Sequence, residues 1–301
     1  MSRLVEYPKI AVRAVRQAPL PGWVYTTGFG KARMATPTGA VLKRHAVDVA
    51  MINRTRTVWL DRHKADNGVI VYLHGGAYVS GPFAFDWQWL SDQADRRECA
   101  AVLIDYRYAP DYQHPTGLLD AAAVIKRLSA DGVLTDLNWI LAGQNSGAGL
   151  ALALADRLGT GEAEKANVPA PRGLVIMSPW WDLELNNTEL TETEQRNPVH
   201  ERRLLQAAAS AYAGRTPLDD PSLSPVNADL AALPSIHLSV GLKDIFLTDA
   251  RIMRMQFERQ DLHVDYREVA GKLNGRLRMS RGADMERLLQ EQAEFIDRVL
   301  A

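Results

Sequence analysis

The stretch "LAGQNSGAGLALALA", residues 141 to 155, decides the fold. Its first residues form a short apolar run typical of a buried strand, and its last residues have the small-residue composition and period of a helix. A sharp turn joins the two, with Gly143 and Gly147 on either side of Asn145. This is the spacing of the Gly-x-Ser-x-Gly turn, which presents a nucleophilic serine between a strand and a helix. Asn145 stands where that serine belongs.

Short β-branched runs alternate with segments of helical period along the rest of the chain. The pattern predicts eight strands, at 42–49, 54–60, 68–73, 100–105, 137–142, 172–178, 234–240 and 262–269. It predicts helices near 85–97, 117–130, 146–158, 248–260 and 282–300. We therefore expect an α/β protein with one eight-stranded, mostly parallel sheet and helices on both faces.

Two segments fall outside this alternation. Residues 1–40 have a helix-like start and a tail rich in Gly, Thr and Pro, and residues 183–232 are polar and then Ala-rich. Insertions of this length in a compact domain are usually lids or binding loops. We expect a single domain over 1–301, with both segments forming a helical cap over the carboxyl edge of the sheet, where open α/β folds bind ligands.

Composition excludes several classes of partner. The chain has 35 Lys and Arg against 36 Asp and Glu, a balance that provides no field for drawing in nucleic acid or an anionic membrane. Cys99 is the only cysteine, so neither an internal disulfide nor a cysteine metal cluster is expected. No signal peptide or membrane span is visible. We expect a cytoplasmic protein that acts on a small molecule without a metal or other cofactor.

The second informative stretch is "VIVYLHGGAYVSG", residues 69–81, a buried strand that runs into His74-Gly75-Gly76. Two glycines directly after a strand let backbone N–H groups turn outward to meet a developing negative charge, as in an oxyanion hole. A tight turn that uses glycine only for its dihedral angles explains the same residues. The two interpretations are equally supported by this stretch alone.

With "LIDYRYAPDYQHPTGLLDA", residues 103–121, the chain resembles the hormone-sensitive-lipase-like family of α/β-hydrolases. These are bacterial carboxylesterases with an HGG motif upstream of a Gly-Asp-Ser-Ala-Gly-Gly turn. The matching stretches are His74-Gly75-Gly76, Asp105-Tyr106-Arg107, Ala109-Pro110, Gly143 to Gly149, Ser178-Pro179-Trp180, Asp182-Leu183, Gly241 and Asp244. The resemblance implies an α/β-hydrolase fold and a small-molecule substrate, and it makes a homodimer one expectation.

The resemblance also implies roles for particular residues. It puts Asn145 at the nucleophile, Asp244 at the acid and Asn274 at the histidine, and it assigns the oxyanion hole to the N–H groups of Gly75, Gly76 and Ser146. An asparagine amide is neither a nucleophile with a removable proton nor a base at neutral pH. The triad is therefore degenerate by this alignment, and ordinary ester hydrolysis is predicted to be lost.

Three side chains near this site have two interpretations each. Asp244 either hydrogen-bonds the Asn274 amide, which we favour, or acts as a base whose pKa a closed pocket raises. Tyr78 and Trp180 either line the substrate pocket or pack in the core, which is the commoner role of such rings.

Three functions follow from these residues, in order of preference. The first is a repurposed enzyme of small-molecule secondary metabolism, which polarises a carbonyl compound for elimination, isomerisation or cyclisation. The second is a non-catalytic binder, a receptor-like pseudo-hydrolase that retains the pocket. The third is an active carboxylesterase that uses Ser146 as its nucleophile.

Overall fold

The computed structural model describes residues 36–159, 168–186, 202–270 and 282–301. Within these ranges the strands are β1 Val47–Ile52, β2 Thr55–Leu60, β3 Val69–Leu73, β4 Ala100–Asp105, β5 Trp139–Gln144, β6 Gly173–Met177, β7 Ser235–Gly241 and β8 Val264–Val269. The α-helices are α1 Gly39–Leu42, α2 Ala84–Arg97, α3 Thr116–Ala130, α4 Ser146–Gly159, α5 Arg202–Ala213, α6 Leu247–Arg259 and α7 Ala283–Leu300. Short 3₁₀ helices span Arg62–Asn67 and Pro225–Asn227.

All eight strands form one sheet, in the order β1-β2-β4-β3-β5-β6-β7-β8. The pairs β1–β2 and β2–β4 are antiparallel, and every later pair is parallel. The predicted eight-stranded, mostly parallel sheet is confirmed. Strands β3 and β5 lie at its centre, so the two motifs that follow them, the HGG turn and the Asn145 turn, meet at the carboxyl edge.

Two apolar layers cover the faces of the sheet. Val71 of β3 packs in the layer that includes the buried sides of α3, α4 and α6. The next residue, Tyr72, points to the opposite layer, which includes α2 and α7. Helices on both faces are therefore confirmed, and the alternation of side chains along a buried strand explains the two layers.

The first strand differs from its prediction. Residues 42–49 were expected to be extended, but α1 ends at Leu42 and β1 begins at Val47. Asp61 holds the segment before β1, since its carboxylate accepts hydrogen bonds from the Ala46 backbone at 2.8 Å and from His45 Nδ1 at 2.9 Å. This segment is a short helix followed by residues that hydrogen-bond to the Asp61 side chain. The periodicity of its apolar residues alone does not distinguish that arrangement from a strand.

Part of the predicted cap lies within the described residues. Helix α5 belongs to the 183–232 segment, whereas residues 1–35 and 187–201 fall outside the described ranges. The Tyr212 ring of α5 stacks on Tyr78 with centroids 4.1 Å apart, and its carbonyl accepts the His114 N–H at 2.8 Å. Helix α5 therefore rests on the loops that follow β3 and β4. Among the described helices, none combines the length and the apolar character needed to cross a membrane.

Candidate functional site

The turn between β5 and α4 places Asn145 in the left-handed region, with φ of 53°. A Cβ at Gly143 would lie 2.3 Å from the Gly147 carbonyl oxygen, and a Cβ at Gly147 would lie 2.1 Å from the Leu73 carbonyl oxygen. Such distances are far inside van der Waals contact. Both glycines are therefore required for the helix to start directly above the end of β3, and Asn145 is held at the apex between them.

The backbone of Asn145 is fully engaged, but part of its side chain is not. Its N–H donates to the Met177 carbonyl at 2.9 Å, and its own carbonyl accepts from Ala148 at 3.1 Å and from Trp180 at 3.1 Å. The residue is 6% exposed. Within the described part of the chain its Nδ2 atom has no acceptor. A buried donor without a partner costs about 1–3 kcal/mol, so this amide is suited to a ligand that supplies an acceptor oxygen.

The HGG turn lies against this apex. A Cβ at Gly75 would lie 3.0 Å from the Gln144 carbonyl oxygen and 3.4 Å from the Asn145 Cβ atom. Beyond it, Gly76, Ala77 and Tyr78 have consecutive positive φ values of 125°, 56° and 61°. Such a run turns successive peptide groups outward from the end of a strand.

Several backbone donors are left at this meeting point. The N–H groups of Gly76 and Ala77 have no acceptor among the described residues. Ser146 is the first residue of α4, so its N–H has no carbonyl four residues earlier in the same helix. The electropositive N-terminus of α4 and the outward N–H groups of the HGG turn thus meet at Asn145. A binding site for a negatively charged or carbonyl oxygen requires such a group of donors.

The hydroxyl of Ser146 occupies a different position from the Asn145 side chain. The Ser146 residue is completely buried and lies beside Tyr106. The Tyr106 hydroxyl donates to the His74 carbonyl at 2.8 Å, and burial raises the pKa of Tyr106 well above its usual value. Ser146 therefore lies beside the packed support of the HGG turn, and its Oγ atom, like Asn145 Nδ2, has no hydrogen-bond partner within the described part of the chain.

Asp244 follows β7 and is fully buried. Its Oδ2 atom accepts hydrogen bonds from the Ser178 hydroxyl at 2.5 Å and from the Gly241 N–H at 2.8 Å. Sequence reasoning missed the Ser178 contact, although Ser178-Pro179-Trp180 was among the matching stretches. Asn274 lies outside the described residues, so its contact with Asp244 remains a prediction.

The two aromatic residues expected either to line the substrate pocket or to pack in the core are both buried. Tyr78 lies between Tyr212 and Trp180, with a ring centroid distance of 5.8 Å to the latter. The Trp180 indole donates to the Asp182 carbonyl at 2.8 Å and stacks on Phe246. These contacts fix both rings in the core beside the Asn145 turn, and their role in binding remains a prediction.

A second hydrogen-bonded Ser–His–Asp chain lies away from this turn. His45 places its Nε2 atom 2.7 Å from the Ser91 hydroxyl and its Nδ1 atom 2.9 Å from the Asp61 carboxylate. Ser91 is completely buried in α2, which prevents a substrate from reaching it. The only cysteine is also unsuitable as a nucleophile, because burial raises the pKa of Cys99 to about 12.

The same cluster has the residue types of a cation site. His45, Asp61 and Asp95 place three ligand atoms within 4.8 Å of one another. Positive side chains already pair with the carboxylates, since Lys64 Nζ lies 2.9 Å from Asp61 and Arg44 contacts Asp95. Burial alone would raise the pKa of Asp61, but the hydrogen bonds from Lys64 and His45 hold it at about 2. The cluster is a satisfied ion-pair network that joins β1, β2 and α2.

Comparison with known proteins gives a consistent family. A family model described as the alpha/beta hydrolase fold matches residues 70–276. An esterase of Acinetobacter venetianus is 30% identical over 207 residues, which cover 68% of this chain and just under two thirds, 66%, of that protein. An acetyl-hydrolase of Streptomyces hygroscopicus is 28% identical over 73% of this chain and 72% of its own length.

Solved structures resemble the whole chain. The crystal structure of an esterase from the bacterial hormone-sensitive lipase family superimposes with a TM-score of 0.78 at 23% identity and covers 100% of both chains. An esterase/lipase from an uncultured bacterium has a TM-score of 0.80 at 19% identity, with 97% of each chain covered. At these identities the structures establish the shared fold.

The close approach of α4 to β3 predicts a large effect of one methyl group. We expect Gly147→Ala to lower the free energy of unfolding by about 1–3 kcal/mol, because its Cβ would overlap the Leu73 carbonyl. Urea unfolding followed by circular dichroism measures the change. Gly39→Ala is the matched control in α1, where no atom lies within 4 Å of the added Cβ. Equal effects of the two substitutions would contradict the packing argument.

Proposed function

Since the chain belongs to the α/β-hydrolase fold family, in its hormone-sensitive-lipase-like branch, we propose that it is an esterase-like member repurposed for non-hydrolytic chemistry on a small carbonyl compound. One observation carries the proposal. Asn145, with its buried and unpartnered Nδ2 donor, occupies the left-handed apex where the family motif has its serine. The fold and the apex geometry are retained, while the reactive group is an amide.

The donors around the apex support binding of a carbonyl oxygen. The N–H groups of Gly76, Ala77 and Ser146 lie on the turn and the helix start that meet at Asn145. Preorganised donors of this kind stabilise charge that develops on an oxygen by about 3–4 kcal/mol each in hydrolases. The Asn145 amide adds a donor and supplies no electron pair for covalent attack. Polarisation without an acyl intermediate favours elimination, isomerisation or cyclisation.

Asp244 takes an orienting role in this proposal. Its carboxylate accepts from the Ser178 hydroxyl and the Gly241 N–H. Asn274 is the residue that the resemblance matches to the family histidine, and an Asp–Asn hydrogen bond would satisfy both groups without an unusual environment. We propose that the pair fixes the Asn274 amide beside the ligand instead of relaying a proton.

A non-catalytic binder is the second candidate, and the same observation favours it. A buried amide donor binds an acceptor oxygen whether or not a reaction follows. The two functions differ in turnover alone, so product formation from any bound carbonyl compound separates them. For both candidates we propose a cytoplasmic protein of secondary metabolism that binds a small molecule and uses no cofactor. Dimer formation remains an expectation from the family.

Ester hydrolysis through Ser146 is the competing function, and the names of the relatives favour it. We expect no turnover of p-nitrophenyl acetate or butyrate and no adduct with a fluorophosphonate, because Ser146 is completely buried and follows the apex residue instead of occupying it. Ester assays and intact-mass spectrometry of the protein beside Ser146→Ala make the measurement. Turnover and an adduct that both disappear in Ser146→Ala would identify an active serine esterase.

The Asn145 donor predicts a loss of affinity on truncation. Small ketones, lactones and amides that bind the protein in saturation-transfer NMR should bind Asn145→Ala about fivefold or more weakly, since one hydrogen bond contributes about 1 kcal/mol. Asn227→Ala, at the far end of the 183–232 segment, is the control. The proposal is refuted if no carbonyl probe binds, or if a probe binds a thermally stable Asn145→Ala with unchanged affinity.

Restoring the family's serine and histidine tests whether the rest of the site is correctly positioned for ester hydrolysis. Asn145→Ser combined with Asn274→His should raise ester hydrolysis at least about tenfold above the parent, because a positioned base contributes about 10²-fold or more. Adding Asp244→Asn should abolish the gain. A folded double variant without activity would show that Asp244 or the N–H groups of the HGG turn are misplaced for this chemistry.

A further inference from the structure

Tyr106, the residue that follows β4, holds His74 in two ways. Its hydroxyl donates to the His74 carbonyl at 2.8 Å. Its ring stacks on the His74 imidazole with centroids 4.3 Å apart and an angle of 7° between the planes. Tyr106 is buried, and a Cβ at Gly117 of α3 would lie 3.0 Å from its Cδ2 atom, so the ring is packed on the side of this helix as well. The backbone and the side chain of His74 are therefore both fixed by one phenol.

The His74 imidazole in turn holds the next peptide group of the HGG turn. Its Nδ1 atom lies 2.8 Å from the Gly75 carbonyl oxygen, and because that oxygen can only accept, the proton must be on Nδ1. The peptide between Gly75 and Gly76 is trans, so its C=O and N–H bonds point in opposite directions. The hydrogen bond to the Gly75 carbonyl therefore also fixes the Gly76 N–H, which points away from the imidazole.

Close packing encloses this contact and leaves the donors on its other side available. A Cβ at Gly81 would lie 2.4 Å from the Gly75 carbonyl oxygen and 2.4 Å from His74 Nδ1, so the backbone at Gly81 covers the hydrogen bond. The N–H groups of Gly76 and Ala77 have no acceptor among the described residues. The assignment of the Gly75 N–H to the same set of donors remains a prediction.

We propose that Tyr106 is the positioning residue of the HGG turn. By holding the carbonyl and the ring of His74, it fixes the Gly75 carbonyl and so aims the Gly76 N–H at the ligand oxygen beside Asn145. The ligand part of this inference rests on the proposed function. The chain of contacts from Tyr106 to the Gly76 N–H does not, so the two parts are tested separately.

The sequence allows each of the two peptide groups to be observed alone. His74–Gly75 is the only His–Gly pair in the 301 residues, and Gly75–Gly76 is the only Gly–Gly pair. An HNCO spectrum of the full chain with ¹³C-carbonyl histidine and ¹⁵N-glycine therefore contains one signal, from the His74 carbonyl and the Gly75 amide. A sample with ¹³C-carbonyl and ¹⁵N-glycine likewise gives one signal, from the Gly75 carbonyl and the Gly76 amide.

Tyr106→Phe keeps the stacked ring and removes only the hydroxyl. The His74 carbonyl carbon should move to lower chemical shift, because it loses an accepted hydrogen bond. The signal of the Gly–Gly pair should move as well, since the imidazole that holds this peptide is no longer fixed through its own backbone. Tyr266→Phe is the matched control, because it removes a hydroxyl that donates to Glu268 at 2.8 Å on β8, at the far edge of the sheet. Both signals should stay in place in the control.

Two results would overturn the proposal. An unmoved His74 carbonyl signal in a folded Tyr106→Phe would show that the hydroxyl does not hold this peptide. A moved His74 signal with an unmoved signal of the Gly–Gly pair would show that the effect ends at His74. If Tyr106→Phe does not fold, Gly117→Ala decides, because its methyl group presses on the Tyr106 ring and leaves the hydroxyl in place. Unmoved signals in that variant overturn the proposal equally.

The functional consequence has its own readout. In the Asn145→Ser and Asn274→His background, Tyr106→Phe should lower kcat for p-nitrophenyl acetate at least about tenfold with a smaller change in KM, because a misaimed donor affects the transition state more than the ground state. An unchanged kcat overturns the positioning role. Absence of hydrolysis in the background variant would instead count against the proposed function and leave the NMR result for the HGG turn standing.

Discussion

The contact between the start of α4 and the end of β3 is the constraint on which the site depends. Gly147 has its backbone where any side chain would enter the Leu73 carbonyl, so the helix begins directly over the centre of the sheet. That approach forces Asn145 into a left-handed conformation, which local packing must sustain. It also brings the HGG turn of the neighbouring strand into contact with Asn145. One backbone approach thus determines the position of every proposed ligand donor.

Several side chains around this contact hold backbone groups in place. Tyr106 donates to the His74 carbonyl, His74 to the Gly75 carbonyl, and Asp244 accepts the Gly241 N–H. Buried hydrogen bonds of this kind make the carboxyl edge rigid before a ligand arrives. A rigid set of donors loses little entropy on binding, and this is the property that both oxyanion stabilisation and tight ligand binding require.

The fold raises the expectation of ester hydrolysis, but the residue at position 145 is an asparagine and not the serine that this reaction uses. The family fold, the strained apex and the outward N–H groups suit ester hydrolysis, whereas an amide at the apex cannot form an acyl intermediate. Function belongs to the site and not to the fold, so the relatives' names establish the scaffold, and the proposed reaction is argued from the residues at the apex. The buried Ser91–His45–Asp61 chain illustrates the same point, because triad-like hydrogen bonds without access to solvent only stabilise the fold.

The sequence by itself determined that eight strands form one mostly parallel sheet, and it identified the two motifs at the carboxyl edge of that sheet. Period-2 and period-3.6 patterns are local, so strands and helices were predicted within about two residues wherever burial was continuous. The prediction of a strand over 42–49 was wrong because this segment contains a short helix and then two residues that bind Asp61. These are Ala46 and His45, which lie 15 and 16 residues before Asp61 in the sequence. Periodicity carries no information about such a partner.

Only the tertiary structure decided which polar groups are engaged. The Asp86 carboxylate meets Tyr72 across 14 residues, and the Ser178 hydroxyl meets Asp244 across 66. The N–H groups of Gly76 and Ala77, by contrast, have no acceptor among the described residues. A motif specifies which groups are present at the edge of the sheet. The long-range packing of buried polar atoms decides which of them remain available, because each buried donor must find an acceptor wherever the fold supplies one.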